Sequence, residues 1–390
     1  MANPKLRFKS FTNAWSDRKI SDICNEITDF VAAGSFEDLR SNVKYLKDDG
    51  YAQLVRTKDL KNNFTSEDPV FISEDAYNYL WRVKLDRDAI VLPNVGNCGE
   101  SYYISPNMLP RQHNALGPNA ILLRTADCDT YFLSLVFKTS AGQEELKKIT
   151  SPSGQSKFNK TELKNLYLSI PSINEQHKIA EFFTALDEKI RIHEQKLTKL
   201  ISAKDSILRK LFKQEIRLKD KDGSDFHPWI KVKIGDILKV KHGKDYKHLS
   251  PGKIPVMATS GAISYVDTAL CTWPCALIGR KGTIDKPQFM DKPFWCIDTL
   301  FYTKALGNHS PLFQYYLFQT IDWKKFNEGT GLPSLSASTI ESIQCSIPME
   351  KEQQEIANFL RIYDEKVKIC TKKIEALKQL KKAFMQRMFV

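Results

Sequence analysis

The chain has 390 residues, a formal net charge of +12 at pH 7 and a hydrophobic fraction of 42%. This length is enough for two or three domains with ordinary hydrophobic cores. The sequence has no run of 18 or more apolar residues and no apolar segment near its first residue, which argues against a membrane helix and a secretory signal and favours a cytoplasmic protein. The basic surplus favours a polyanionic partner, most often nucleic acid.

A mixed α+β domain is predicted over residues 1–172. Its interior consists of short apolar runs broken by Gly, Pro and Asn turns, which is typical of strands. Strands are predicted at 51–55, 89–92 and 120–123, and an amphipathic helix at 130–137.

The loops of this first domain carry side chains suited to a DNA groove. Arg56 and Lys58 follow the first predicted strand, and Asn94 and Asn97 follow the second. Arginine and lysine bind guanine or phosphate, and asparagine can form two hydrogen bonds with adenine, although it is also a common turn former. Ser153 lies in a later Gly–Ser loop, whose small hydroxyls could donate to phosphates or cap the next helix.

A long spacer helix is predicted over 173–218. No proline or glycine occurs from 175 through 219, and apolar residues recur in alternating steps of four and three, the heptad period of a coiled coil. The predicted seam consists of Ile179, Phe183, Leu186, Ile190, Leu197, Leu200, Ile207 and Leu211.

A second α+β domain is predicted over 219–348, after a polar linker. Strands are predicted at 254–257, 276–278 and 299–302, and a helix at 311–320.

Basic and hydroxyl side chains again lie in the predicted loops. In the sequence GRKGT, Arg280 and Lys281 stand between two glycines, where the backbone can approach a ligand closely. A basic loop that stays in solvent is the alternative. The candidate DNA contacts of this domain are Lys244, Lys247, Ser260, Arg280, Lys281, Thr283, Thr330 and Ser334.

A copy of the first long helix is predicted over 349–390. Residues 171–190 and 348–367 are identical at nine of twenty positions without a gap. Lys204 and Lys381 occupy matching seam positions, where a lysine can fix the register or extend to solvent. The second predicted seam consists of Ile356, Leu360, Tyr363, Val367, Ile374, Leu377, Phe384 and Met388.

The repeat also extends upstream of the helices. Trp15 and Ile20 match Trp229 and Ile234 at a common offset of 214, whereas the interiors of the two domains differ. The sequence therefore predicts an α+β protein in which two pseudo-repeated α/β domains are each followed by a long helix. Two helices with matching seams most simply pack on each other, and we favour an antiparallel coiled coil.

The sequence lacks the motifs of several enzyme classes. We find no phosphate-binding GxxxxGK[ST] loop, no HExxH, no GxSxG, no Asn-Pro-Pro-Tyr-like segment and no His/Cys metal cluster. We therefore expect a non-catalytic protein without a metal or cofactor of its own.

Three features together carry a family resemblance: the doubled motif SIP…EQ..IA.F….DEK at 169–189 and 346–366, the matching Trp-containing opening of each domain, and GTGLPSLS before the second long helix. The chain resembles the specificity (S) subunit of type I restriction–modification systems. The resemblance implies that each domain is a target recognition domain that reads one half of a bipartite double-stranded DNA site. The coiled coil would set the spacing and dock two methyltransferase subunits. Restriction subunits would join for ATP-dependent cleavage, and S-adenosylmethionine, ATP and Mg would bind these partners.

Two alternatives of other classes remain open from the sequence. An enzyme with its own methyltransferase or nuclease activity would turn over without any partner. A structural coiled-coil adaptor would show no sequence-selective DNA binding, and it would leave the divergent domain interiors unexplained.

Overall fold

The computed structural model describes residues 4–151 and 156–389. The chain forms two compact units, of which the first comprises Met1–Ile192 with Ile374–Val390 and the second comprises His193–Lys373. Each long helix is divided between the two units.

The first unit contains strands β1 to β9 and helices α1 to α7, followed by the first half of α8. The strands are β1 (Ser16–Lys19), β2 (Cys24–Asp29), β3 (Ala52–Val55), β4 (Phe71–Ile72), β5 (Ala89–Pro93), β6 (Tyr102–Ile104), β7 (Asn114–Leu116), β8 (Ala120–Thr125) and β9 (Tyr167–Ile170). The helices are α1 (Ile20–Ile23), α2 (Phe36–Asn42), α3 (Thr57–Lys61), α4 (Glu74–Tyr79), α5 (Thr130–Val136), α6 (Ser140–Ile149), α7 (Lys160–Lys164) and α8 (Ile173–Phe212). Short 3₁₀ segments lie at Phe30–Ala33, Trp81–Val83 and Pro106–Met108.

The second unit contains strands β10 to β18 and helices α9 to α11, together with the first part of α12. The strands are β10 (Ile230–Lys233), β11 (Leu238–His242), β12 (Pro251–Ala258), β13 (Gly261–Val266), β14 (Cys275–Gly279), β15 (Gln288–Met290), β16 (Trp295–Cys296), β17 (Leu300–Ala305) and β18 (Gln344–Ile347). The helices are α9 (Ile234–Ile237), α10 (Pro311–Thr320), α11 (Ala337–Ser342) and α12 (Glu350–Met388), with a 3₁₀ segment at Trp323–Phe326.

Both units have the same sheet topology. The first has an antiparallel sheet in the order β2–β8–β5–β6, a small sheet β4–β3–β7 and the pair β1–β9. The second has β11–β17–β14–β15, a small sheet β13–β12–β16 and the pair β10–β18. In each small sheet the central strand pairs in parallel with one neighbour, β3 with β7 and β12 with β16. All the strands and helices predicted from the sequence within the domains are present, which confirms the duplicated α+β architecture.

The larger sheet of each unit separates two hydrophobic cores. Because successive side chains of a strand face opposite sides, Ile90 and Leu92 of β5 enter one core, and Ala89 and Val91 enter the other. This is why β5 is buried along its whole length and reads as a continuous apolar run. In the second unit, β14 divides its residues between two cores in the same way.

The long helices pack antiparallel in each unit. In the first unit, Phe182 of α8 meets Phe384 of α12, and Leu186 and Ile190 pack with Leu377. The residue numbers thus rise along α8 as they fall along α12. In the second unit, the Sγ of Cys370 lies 3.3 Å from the carbonyl oxygen of His193, and Lys204 reaches Asp364 further along. Every predicted seam residue is buried or half-buried.

The two seam lysines belong to a pair of matching polar clusters. In the second unit, Lys204 Nζ donates to Asp364 Oδ1 at 2.5 Å, and the hydroxyl of Tyr316 on α10 donates to Asp364 Oδ2 at 2.6 Å. Burial raises the pKa of Tyr316, and its hydrogen bond to the Asp364 carboxylate raises this pKa further, so the hydroxyl remains a donor. We call this set, and its counterpart in the first unit, the Lys–Asp–Tyr clusters.

The counterpart in the first unit consists of Lys381, Asp187 and Tyr131. Lys381 Nζ donates to Asp187 Oδ1 at 2.5 Å, and the Tyr131 hydroxyl on α5 donates to Asp187 Oδ2. Each aspartate belongs to the repeated DEK sequence. Each cluster joins both long helices to the helix that follows the larger sheet, so the matching lysines are paired within the fold and do not simply extend to solvent.

A second repeated contact holds the start of each long helix. Glu175 is buried and accepts two hydrogen bonds from Arg7 at 2.7 Å. The equivalent Glu352 is buried and accepts from Arg217 at 2.8 Å and from the indole of Trp229 at 3.2 Å. These charge-assisted bonds give the Glu of the repeated motif the same role in both copies, beyond any favourable interaction with the helix dipole.

The first long helix ends earlier than the predicted limit of 218. Helix α8 stops at Phe212, and Gln214 has a φ of 60°. The left-handed conformation turns the chain out of the helix and lets Glu215 N donate back to the carbonyl of Lys210 at 2.9 Å. A glutamine at this position gives no sequence signal, because glycine or asparagine is the usual residue there.

Substitution of Asp364 by Asn is expected to lower the free energy of unfolding by about 2 kcal/mol, since it removes two hydrogen bonds to a charged group and leaves the half-buried Lys204 without its counter-ion. Urea denaturation followed by circular dichroism would measure the change. The adjacent Glu365→Gln is the matched control, because Glu365 forms an exposed ion pair with Arg361 and its loss should cost less than about 0.5 kcal/mol. Equal effects of the two substitutions would contradict a stabilising role for the cluster.

Candidate DNA interface

In each unit, two loops are joined by backbone hydrogen bonds. One loop follows an inner strand of the larger sheet, β5 or β14, and the other precedes a short helix, α7 or α11. In the first unit, Gly96 N donates to the carbonyl of Ser156 at 2.8 Å, and Phe158 N donates to the carbonyl of Asn94 at 3.1 Å. In the second unit the same two bonds recur. Gly282 N donates to Pro333 at 2.8 Å, and Leu335 N donates to Arg280 at 2.9 Å. We call each set the paired loops.

The two glycines of the paired loops share one backbone conformation. Gly96 has a φ of 82° and Gly282 a φ of 85°. This left-handed region favours glycine, so the residue type is dictated by the turn at both positions. The equivalence places Asn94 and Arg280 at the same point of the two units, although no similarity of sequence relates them.

The paired loops of the second unit bring three predicted residues together. Arg280, Lys281 and Ser334 line an open groove of about 540 Å³, together with His242 and Glu328. Lys281 is exposed, whereas Arg280 is half-buried and donates to the carbonyl of Asp298 at 3.2 Å.

An acidic group also lies in this groove. Hydrogen bonds from Thr339, and then from Ser336, lower the pKa of Glu328, which keeps the carboxylate charged. Ser336 is the N-cap of α11, so one hydroxyl of the GTGLPSLS loop caps the helix that follows. Of the other predicted residues in this region, Thr283 is half-buried and Thr330 is exposed.

Lys244 and Lys247 lie in the loop before β12 of the small sheet, and Ser260 lies in the turn that follows β12. All three are exposed. The loop 243–250 is held by a hydrogen bond from the indole of Trp295 to the Lys244 carbonyl at 2.8 Å. Ser260 lies at the turn between β12 and β13.

Among the described residues, the predicted basic residues of the first unit, unlike those of the second, form ion pairs with nearby aspartates. Arg56 donates to buried Asp59 at 3.0 Å and to the carbonyl of Asp68 at 2.7 Å, and Lys58 donates to Asp68 at 2.7 Å. The Asn94 amide donates to the carbonyl of Phe158 at 3.1 Å, which supports the turn alternative for this residue. Asn97 is exposed, and Ser153 lies outside the described residues.

Sequence reasoning missed two exposed apolar residues on the hairpin formed by β12 and β13. Ile263 and Tyr265 are 46% and 57% exposed, and Lys253 of the same hairpin is also exposed. The signal was present in GAISYV, where large side chains two residues apart predict that both lie on one face of a strand.

Within residues 4–151 and 156–389, no group of three or more His, Cys, Asp or Glu side chains could hold a metal ion. No helix in the same part of the chain is long and apolar enough to span a bilayer.

The model of a known protein family covers most of the chain. Residues 13–201 and 227–379 match the type I restriction modification DNA specificity domain. The chain belongs to this family. It is therefore the specificity subunit of a type I restriction–modification system, the non-catalytic component that recognises DNA, and the alternative of a self-sufficient enzyme is set aside.

Individual relatives agree with this assignment. The chain is 22% identical over 305 residues to a protein inferred to be the specificity subunit of the MjaX type I restriction enzyme of Methanocaldococcus jannaschii, across 69% of this chain and 70% of the relative. It is 32% identical over 79 residues to the MjaVIII specificity subunit of the same organism, across 19% of each chain.

The fold is also found in solved structures. A type I S subunit from M. genitalium superposes with a TM-score of 0.67 at 16% identity, across 100% of this chain and 99% of that chain. A chain from a structure on complex assembly and conformational transition of the type I system superposes with a TM-score of 0.52 at 11% identity, across 97% and 98%. At these identities the likeness concerns the fold alone.

Substitution of Gly282 by Ala is expected to lower the free energy of unfolding by about 1 kcal/mol, because the new side chain would hold a left-handed conformation. Open space surrounds the position, so the cost is conformational and not steric. Gly331→Ala, in the neighbouring loop and also in open space but without a left-handed φ, should cause no loss. Thermal denaturation of both variants would test this, and an unchanged Gly282→Ala protein would argue against the turn described above.

Proposed function

We propose that each globular domain of this specificity subunit reads one half of a bipartite DNA site. The supporting observation is the duplication itself: two domains share topology, paired loops and polar clusters, while their loop side chains differ. A common scaffold with different surface residues suits two readers with different target sequences, as in dimeric DNA-binding proteins with two half-sites.

In this proposal the coiled coil sets the spacing between the half-sites. Each domain is tied to both long helices through its own Lys–Asp–Tyr cluster, so the position of a domain along the helices is specified by side chains and not by a flexible linker. A bidentate aspartate between a lysine and a tyrosine also fixes the helix register, because a shift of one residue would break both bonds.

The long helices would also dock two methyltransferase subunits. Ile192 and Ile369 stand at equivalent positions of the repeat, and they are 50% and 68% exposed. Their burial against a partner would add apolar contact area at two equivalent points of the long helices. Two equivalent sites suit two copies of one partner.

The catalytic steps would belong to the partners. Methyl transfer from S-adenosylmethionine would take place on the methyltransferase subunits. Restriction subunits would supply ATP- and Mg-dependent cleavage. This chain would contribute sequence recognition and the geometry of assembly.

Co-expression with the cognate methyltransferase subunit, followed by sequencing of the host DNA with detection of modified adenine, tests this function. We expect a motif of two specified halves around a fixed unspecified gap. Exchange of residues 230–345 for those of a relative should alter one half and leave the other intact, because this segment contains only the second domain. The unexchanged chain is the control. A change in both halves would contradict independent readers, and the absence of a modified motif from a stable complex would favour the adaptor alternative.

Removal of one heptad from each long helix is expected to shorten the gap between the half-sites. Residues 194–200 and 366–372 are the segments of choice, since the contact of His193 with Cys370 shows that they face each other and both Lys–Asp–Tyr clusters remain. Seven helical residues span about 10 Å, which corresponds to about three base pairs. The modified motif would be determined as above. An active complex with the original gap would show that the helices do not set the distance.

A further inference from the structure

The second unit carries an exposed β-hairpin that is absent from the equivalent place of the first. Strands β12 and β13 pair antiparallel and are joined by the two residues Thr259 and Ser260. Strand β13 lies at the edge of the small sheet, because the strand order is β13–β12–β16. The hairpin therefore presents one strand and its tip to solvent.

Two β-bulges shape this hairpin. Val266 pairs with both Pro251 and Ile254, so Lys253 lies in the first irregularity. The register then moves from Val256–Ser264 to Met257–Ala262, which leaves Ile263 as the extra residue. Bulges redirect side chains and increase the twist of a ribbon, and they are common beside functional sites.

The hairpin and the loop 243–250 that precedes it carry exposed apolar and basic side chains. Ile263 and Tyr265 project apolar surface into solvent. Lys244, Lys247 and Lys253 are exposed, and none of them forms an ion pair with any residue in the part of the chain that the structure describes. Such a combination suits a polyanion that also offers apolar contacts. The major groove of DNA does so, with phosphates along its edges and thymine methyl groups on its floor.

The hairpin is held in a defined conformation. Gln288 Nε2 on β15 donates to the carbonyls of Ala258 and Thr259, at 2.9 and 3.2 Å, which braces the tip against the larger sheet. At the base, Val256 and Val266 pack with Trp295 in a small core. A braced ribbon loses little conformational entropy when it binds.

We propose that the β12–β13 hairpin is the base-reading element of the second domain and that it enters the DNA major groove as a two-stranded ribbon. The major groove admits such a ribbon. Ile263 and Tyr265 contact the base edges, with Ser260 at the tip, while Lys244, Lys247 and Lys253 bind the flanking phosphates. This inference rests on the proposed function and names the element that performs it in one domain.

The first domain does not share this element. Its small sheet joins β3 to β4 through a segment that contains α3, and Arg56 and Lys58 of this segment are paired with Asp59 and Asp68. The two half-sites are therefore read by different kinds of secondary structure on one scaffold.

The full chain in complex with its methyltransferase subunit provides the test. The double substitution of Ile263 and Tyr265 by Ser should reduce adenine modification at the native site by about tenfold or relax the sequence of the second half only. Both side chains are exposed, so the fold should persist, and an unchanged first half of the motif would report this directly. The matched control is Ile230→Ser, on β10 of the same unit, where an isoleucine 59% exposed should be replaceable without effect.

The lysines are tested by salt dependence. Lys247→Gln and Lys253→Gln should each weaken binding of the complex to any DNA duplex, and each should lower the slope of log affinity against log salt by about one. Lys231→Gln, an exposed lysine of β10, is the control and should leave the slope unchanged.

Two results would overturn the proposal. If the Ile263 and Tyr265 variant modified the native motif at the wild-type rate, the hairpin would not read bases. If this variant failed to retain the methyltransferase subunit, the hairpin would be a protein contact. Failure of the proposed function itself would be distinguishable from these results, because the unsubstituted complex would then modify no bipartite motif.

Discussion

The architecture depends on two aspartate carboxylates, Asp187 and Asp364. Each accepts one bond from a lysine of the partner long helix and one from a tyrosine of the adjacent globular domain. A carboxylate in partly buried surroundings needs such partners, because an unpaired charge there is costly. The same atoms that satisfy the charge therefore specify the helix register and the attachment of the domain. Under the proposed function, in which two domains read DNA at a fixed distance, the helix register and the attachment of each domain matter more than raw stability.

The two domains share this framework, whereas their surface side chains differ. The paired loops have the same backbone bonds and the same left-handed glycine in both units, yet they carry Asn94 in one and Arg280 in the other. The small sheets diverge further, since one carries an ion-paired segment around α3 and the other an exposed hairpin. A scaffold held by backbone bonds tolerates the exchange of Asn94 for Arg280, because neither side chain belongs to a hydrophobic core.

Much of this organisation was predictable from the sequence, and the reason is periodicity. Heptad spacing in two copies predicted the long helices and placed residues such as Ile179 and Leu360 in the seam, where the structure buries both. Repeated identities pointed to two equivalent domains. The individual contacts were not predictable in the same way. Lys58 looked like a free cation beside a strand, but chain folding brings Asp68 to it across a loop that no local pattern relates to it.

The sequence by itself determined the duplicated α+β class, the helix pair and the family, because these depend on short-range periodicity and on repeated identities that can be read along the chain. Only the tertiary structure decided which polar residues form hydrogen bonds or ion pairs within the fold and which remain exposed and able to bind a partner. Asp187 and Tyr131 stand 56 residues apart and meet only in the folded unit, and the irregularity at Lys253 arises because Val266 pairs with both Pro251 and Ile254. Ion pairs and strand registers form between segments that are far apart in the sequence. Which of them form depends on three-dimensional packing, and this cannot be read from a pattern along the chain.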